Sequence, residues 1–225
     1  MKNKIVIISL IIFAIVLAVL IGVYFIKQDK SAVNPKEITA QENQNNAPAN
    51  KNEAPPKNQN ENNQISAEQA QNKMVTDEFE VIVPAGWIQT APAIGTSLMA
   101  VNSNENINDP AAQKINFKSY FAISRDVLQG KTIDEYSQTV KNSLQQIVSN
   151  VIFTKNQNIA AINGKSANAI EAEMSQQGVD FKVLMAIIRG EGDYVWVFSF
   201  NTTKNAWDKY KEIFYNIANS FRLKK

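Results

Sequence analysis

Four acidic residues fall close together in the second half of the chain: Glu171 and Glu173, two apart, then Asp180 and Glu191. Carboxylates in such a group are the hard oxygen ligands that Ca²⁺ takes. Their spacing is not that of an EF-hand loop. Glu171 and Glu173 also alternate with Ile170, Ala172 and Met174, the pattern of a strand with one apolar and one solvated face. Ser124 and Ser199 have the nucleophile's hydroxyl but no base, because the chain contains no His. No Gly-x-Ser-x-Gly elbow is present. Gly190-Glu191-Gly192 is a hairpin turn, with nothing of a phosphate loop around it. Trp87, Trp196 and Trp207 are suited to lining a ligand cleft, yet each sits at an ordinary core position. Asn201-Thr202-Thr203 matches a glycosylation triplet, but Thr202 or Thr203 reads better as a helix cap. The chain has no Cys, so disulfides, thiolate nucleophiles and zinc–thiolate sites are excluded. No catalytic residue, cofactor or metal is expected.

The elements that position these residues follow from periodicity. Phe79 to Val83 alternates and stops at Pro84; Trp87 to Gln89, Gly95 to Val101 and Tyr120 to Val127 also read as strands. Thr132 and Glu135 have capping-box spacing. Ile133, Tyr136, Val140, Leu144 and Ile147 then recur at three and four, giving an amphipathic helix over about 133–148. Val151 to Thr154 and Ile159 to Ile162 are extended. Three strands follow in a meander, turning at Asn163-Gly164, Gln177-Gly178 and Gly190 to Asp193. A second helix closes the chain over about 204–220, with Trp207, Tyr210, Phe214, Ile217 and Phe221 on or near one face. Val183 to Ile188 and Tyr194 to Phe200 are apolar on both faces, so each needs cover on both sides. The expected fold is α+β: an antiparallel sheet with a helix layer on each face, an α/β/α sandwich.

Ser103 to Lys118 is the longest irregular stretch of the domain and reads as a loop. Long ordered loops on a rigid scaffold often carry function. Asn106, Asn108, Asp109 and Asn116 offer hydrogen bonds, and Phe117 an apolar anchor. These five residues form the candidate partner-binding loop.

The N-terminus carries the location signal. Residues 1–4 are a short basic segment, and residues 5–26 an apolar run without a charge. At about 1.5 Å per residue that run spans the hydrocarbon core. It is longer than the apolar stretch of a cleaved signal peptide and ends in bulk, Val23-Tyr24-Phe25-Ile26. A signal anchor is expected, N-terminus inside and the rest exported. Residues 27–73 are Asn-, Gln- and Pro-rich, too polar to fold, and form a disordered linker. Residues 74–225 form one domain, with 15 Lys plus Arg against 15 Asp plus Glu. Zero net charge lacks the basic footprint of a nucleic-acid binder.

The order of motifs in the domain resembles the PsbP-like superfamily. The resemblance covers Phe79 to Arg222. It starts with Phe79-x-x-x-x-Pro84-x-Gly86-Trp87 and runs through the helix and the hairpin with Gly164 and Gly178. It ends with the aromatic strand Tyr194 to Phe200 and the helix ending Asn219-Ser220-Phe221-Arg222. The resemblance implies an α/β/α sandwich and a binding or assembly module. It transfers no site residue. The expected function is a membrane-anchored, extracytoplasmic, non-catalytic binding or assembly domain of a bacterial cytoplasmic membrane, with an envelope protein as partner. Two other classes stand beside it: a small-molecule or lipid carrier with a cleft between sheet and helix, and an enzyme built on carboxylates alone.

Overall fold

The computed structural model describes residues 71–224. The apolar run 5–26 and most of the linker lie outside the described residues. Among the described residues no helix is long and apolar enough to cross a membrane. In chain order the elements are β1 (Gln71–Val75), β2 (Phe79–Pro84), β3 (Trp87–Thr90), β4 (Leu98–Asn102), α1 (Pro110–Lys114) and β5 (Tyr120–Val127). Then come α2 (Ile133–Ile147), β6 (Ile152–Ile162), β7 (Lys165–Gln176), β8 (Val179–Arg189), β9 (Tyr194–Thr203), α3 (Trp207–Asn219) and β10 (Arg222–Leu223).

Seven strands form one antiparallel sheet in the order β3-β4-β5-β9-β8-β7-β6. The meander β6 to β9 is built from tight turns. Asn163-Gly164 and Gln177-Gly178 each hold two successive positive φ angles, 52° and 74° in the first, 53° and 77° in the second. That is the turn whose twist matches the flanking strands, and a glycine in the second place removes the Cβ clash. β6 is one strand of 11 residues rather than two short extended pieces; register shifts near Phe153/Lys155 and Ile159/Ile162 break its regularity without ending it.

The two-faced strands lie at the centre, and each face has its helix. On one side Ile133, Tyr136, Val140 and Leu144 of α2 pack with Val183, Met185, Ile187, Val195 and Val197. On the other, Trp207, Tyr210, Phe214 and Ile217 of α3 pack with Leu184, Ala186, Ile188, Phe198 and Phe200. The α3 side is the aromatic one: Phe200 stacks on Phe214 at 4.9 Å and Tyr210 on Phe214 at 5.5 Å. Thr132 caps α2 through the expected box, its Oγ1 accepting from Glu135 N and the Glu135 carboxylate accepting from Thr132 N.

Three features differ from the sequence expectation. A second, three-stranded sheet, β1-β2-β10, joins the α3-side core through Met74, Phe79, Val81, Val83 and Leu223. Its first strand starts at Gln71, so Gln71 to Lys73, assigned to the linker, pair with β2. Backbone pairing with an apolar partner strand offsets the polar composition of β1. Neither Thr202 nor Thr203 caps the last helix; both are buried at the end of β9, and a 3₁₀ turn, Lys204–Ala206, leads into α3.

One buried acidic side chain fixes α2 to the sheet. Asp126 on β5 is only 5% exposed, and Tyr136 Oη donates to its Oδ2 at 2.7 Å. Burial and the neighbouring carboxylate push the Tyr136 phenol far above its ordinary pKa. Removing that hydroxyl leaves a buried carboxylate oxygen without its donor, which costs about 1–3 kcal/mol. Tyr136→Phe is therefore expected to lower the unfolding free energy by about that amount in urea melts, whereas Tyr194→Phe at the surface changes it by less than about 0.5 kcal/mol.

Candidate functional site

The segment Ser103 to Lys118 is a clamp before it is a loop. Burial alternates: Glu105 and Ile107 are buried, Asn106 and Asn108 exposed. Glu105 is 4% exposed. Its carboxylate accepts from the Ser119 backbone N and from Ser119 Oγ at 2.8 Å. Ser119 Oγ in turn meets Thr202 Oγ1 of β9 at 2.7 Å. Lys118 Nζ donates to the Glu105 carbonyl. Tyr210 of α3 is drawn into the same network, taking Asn102 Nδ2 at 2.8 Å. Its phenol is pushed well above the ordinary range, first by burial and then by the Glu105 charge.

Beyond Glu105 the chain forms α1. Asp109 Oδ1 accepts from the backbone N–H groups of Ala111 and Ala112, both at 2.9 Å, and Pro110 takes the first helical position. Asn116 ends the turn at φ 51°, and Phe117 N returns to the Ala112 carbonyl at 3.0 Å. Ile107, Ala112 and Phe117 face the α2-side core. Phe117 is 5% exposed and lies edge-on to Phe181, centroids 4.9 Å apart. The five candidate residues thus separate. Asn106, Asn108 and Asn116 are exposed, Asp109 is a helix cap, and Phe117 is a core residue rather than a free anchor. α2 covers only part of its sheet face, and this segment covers more of it, so an aromatic here gains more from the core than from solvent.

The acidic cluster also changes meaning. Glu171 is 4% exposed, not solvated, because α3 lies over that end of its face. Tyr215 Oη donates to Glu171 Oε1 at 2.9 Å, and Lys155 Nζ stands 3.6 Å from the same oxygen. Burial, with Glu171 as acceptor, pushes the Tyr215 phenol up. Glu173 binds Lys204 at 2.6 Å and Lys182 at 3.2 Å. The hydrogen bond from Lys204 holds its carboxyl below the usual carboxylate range. Lys182 also lies over the Trp207 ring at 5.0 Å. Glu191 pairs with Lys165 at 2.7 Å. Four lysines thus stand where a cation would have to bind. Among the described residues no group of three or more acidic ligands converges.

Trp87, Trp196 and Trp207 are buried core residues, as expected, and Ser124, Ser199 and Asn201 are buried too. One open depression of about 520 Å³ lies where the N-terminus of α2 meets the ends of β6, β7 and β8. Ile133, Asp134, Asn158, Ile159, Ser166 and Arg189 line it. Its lining is mixed: Ile133 and Ala167 are buried, and Asp134 and Arg189 bring both signs of charge.

No family model matches the sequence, and no curated protein matches it. Solved structures do match. Cyanobacterial PsbP (CyanoP) from Synechocystis sp. PCC 6803 aligns with TM-score 0.50 at 12% identity, over 69% of this chain and 94% of that one. LpqN of Mycobacterium tuberculosis aligns at TM-score 0.49 and 11% identity, over 69% and 91%. A Pseudomonas aeruginosa protein of unknown function aligns at 0.41 and 15%, over 63% and 89%. The described domain is an antiparallel α+β sandwich with the PsbP-like fold.

The split of the 103–118 segment into clamp and display has a direct test. Phe117→Ala opens a cavity in the α2-side core and is expected to cost about 3–5 kcal/mol. Asn106→Ala and Asn108→Ala remove only exposed amides and should change stability by less than about 0.5 kcal/mol. Chemical denaturation of the three variants checks both.

Proposed function

We propose that this protein is a membrane-anchored, extracytoplasmic binding or assembly domain that does no chemistry of its own. The observation that carries the proposal is the order of the chain. A 22-residue apolar run and a polar tether precede a domain that closes its own core on both faces of its sheet. The run is long enough to anchor. The segment of about 44 residues between the run and β1 has the polar, Pro-containing composition of a spacer. The domain needs no partner to cover an open core, so a partner meets a finished surface.

The buried carboxylates support a binding role over a catalytic one. Glu105 ties the 103–118 segment to β5 and β9, Asp126 ties α2 to β5, and Glu171 ties α3 to β7. Each accepts from a hydroxyl that links it to another element, and each is buried. The partner-facing surface in this proposal is the ridge of Asn106 and Asn108. Their neighbours Glu105 and Ile107 are locked into the body of the domain, so the amides are presented with little conformational freedom to lose on binding.

Protease added to intact cells should release a folded fragment starting between residues 27 and 70, while the apolar run stays with the membrane. A chain cut only after lysis would contradict the exported orientation. A photoreactive residue at 106 or 108 should cross-link one defined envelope protein in intact cells, and the same group at Gln138 on α2 should not. Equal products from the two faces, or none from the ridge, would remove the ridge as the binding surface.

A further inference from the structure

The depression at the start of α2 holds two opposite charges that do not neutralise each other. Asp134 comes from the first turn of α2 and Arg189 from the end of β8, and no ion pair joins them. Asp134 Oδ2 has one long contact, 3.4 Å from Asn158 Nδ2. Arg189 has one long contact, from its Nη2 to the Gly192 carbonyl at 3.4 Å. Guanidinium and carboxylate sharing one site normally pair closely and bidentately. Here each keeps most of its hydrogen-bonding capacity facing solvent.

The other polar groups in the wall divide by availability. Thr132 is committed to Glu135, donating to its Oε2 at 3.0 Å and accepting from its N at 3.2 Å. Asn158 is committed as a brace: Asn168 Nδ2 donates to its Oδ1 at 3.2 Å, which orients its own amide towards Asp134. Asn168 is itself buried, so the brace is anchored in the body of the domain. Lys165 and Glu191, charged neighbours on β7 and on the turn after β8, satisfy each other at 2.7 Å. What remains for a ligand is one carboxylate, one guanidinium and the Ser166 hydroxyl, beside the buried Ile133. The volume, about 520 Å³, lies within the range of small-molecule sites.

The geometry points to a binding site for a small zwitterion with an aliphatic body, a short peptide with free termini. Its ammonium pairs with Asp134, its carboxylate forks onto Arg189, and its aliphatic body lies beside Ile133. This goes beyond the anchoring and the amide ridge, and stands or falls apart from them.

The test is a titration of the full chain, in detergent micelles or nanodiscs, with the dipeptide Ala-Ala. Its N-acetylated and its C-amidated forms are titrated in parallel. The free dipeptide should bind saturably, and blocking either terminus should weaken binding about tenfold or more, the loss of one charge-assisted contact. Arg189→Gln should bind the free and the amidated peptide equally while still discriminating against acetylation. Asp134→Asn should show the reverse. The blocked-peptide series on the unaltered protein decides the matter even if a variant fails to fold. No saturable binding up to about 10 mM, equivalent to less than about 3 kcal/mol, would overturn the site. Equal affinity for free and blocked peptides would overturn it as well. A failed protease test would leave these titrations unaffected, so the two proposals fail separately.

Discussion

β8 and β9 cannot be wetted on either face. Val183, Met185, Ile187, Val195 and Val197 point one way, and Leu184, Ala186, Ile188, Trp196, Phe198 and Phe200 the other. Burying one such side chain is worth about 1.5–3 kcal/mol, so leaving either face open would cost about as much as a small domain's whole stability. The remaining elements are arranged to prevent that. α3 and the β1-β2-β10 sheet close the aromatic side; α2 and the 103–118 segment close the aliphatic side. Three buried acceptors then stop the covers from sliding. Each carboxylate sits on one layer and takes its hydroxyl donor from another: Glu105 from Ser119, Asp126 from Tyr136, Glu171 from Tyr215.

Much of this was legible in the sequence because it is written locally. The α2 capping box, the Asn-Gly and Gln-Gly turns and the two-faced strands are each decided by residues near one another in the chain. The resemblance to the PsbP-like superfamily rested on their order, and the fold agrees with it. What was missed depends on distant partners. β1 is polar and gains its structure from β2. Glu171 looked like a solvated strand residue because nothing in its own segment says that Tyr215, 44 positions later, lies over it. Phe117 looked free because its segment seemed irregular. One local signal did stand there: Asp109-Pro110 is a cap followed by a proline at the first helical position, a helix start that the polar surroundings hid.

The same closure shapes the functional proposal. A domain whose strongest polar groups are committed to holding layers together presents its chemistry as surface: amides at Asn106 and Asn108, and separated charges at Asp134 and Arg189. These two places lie on different elements, and the proposals give them different ligands, a protein face for the ridge and a small zwitterion for the depression.

The claim beneath all of this is that the two covered faces make one cooperative unit. Native-state hydrogen exchange on the intact chain tests it most directly. The amides of β5, β8 and β9 should exchange only through global unfolding, and those of α2 and α3 should share that same free energy and the same denaturant dependence. If α2 and the 103–118 segment open together at markedly lower free energy while β8, β9 and α3 stay protected, the aliphatic face is not an obligatory cover, and the account of a clamped sheet is wrong.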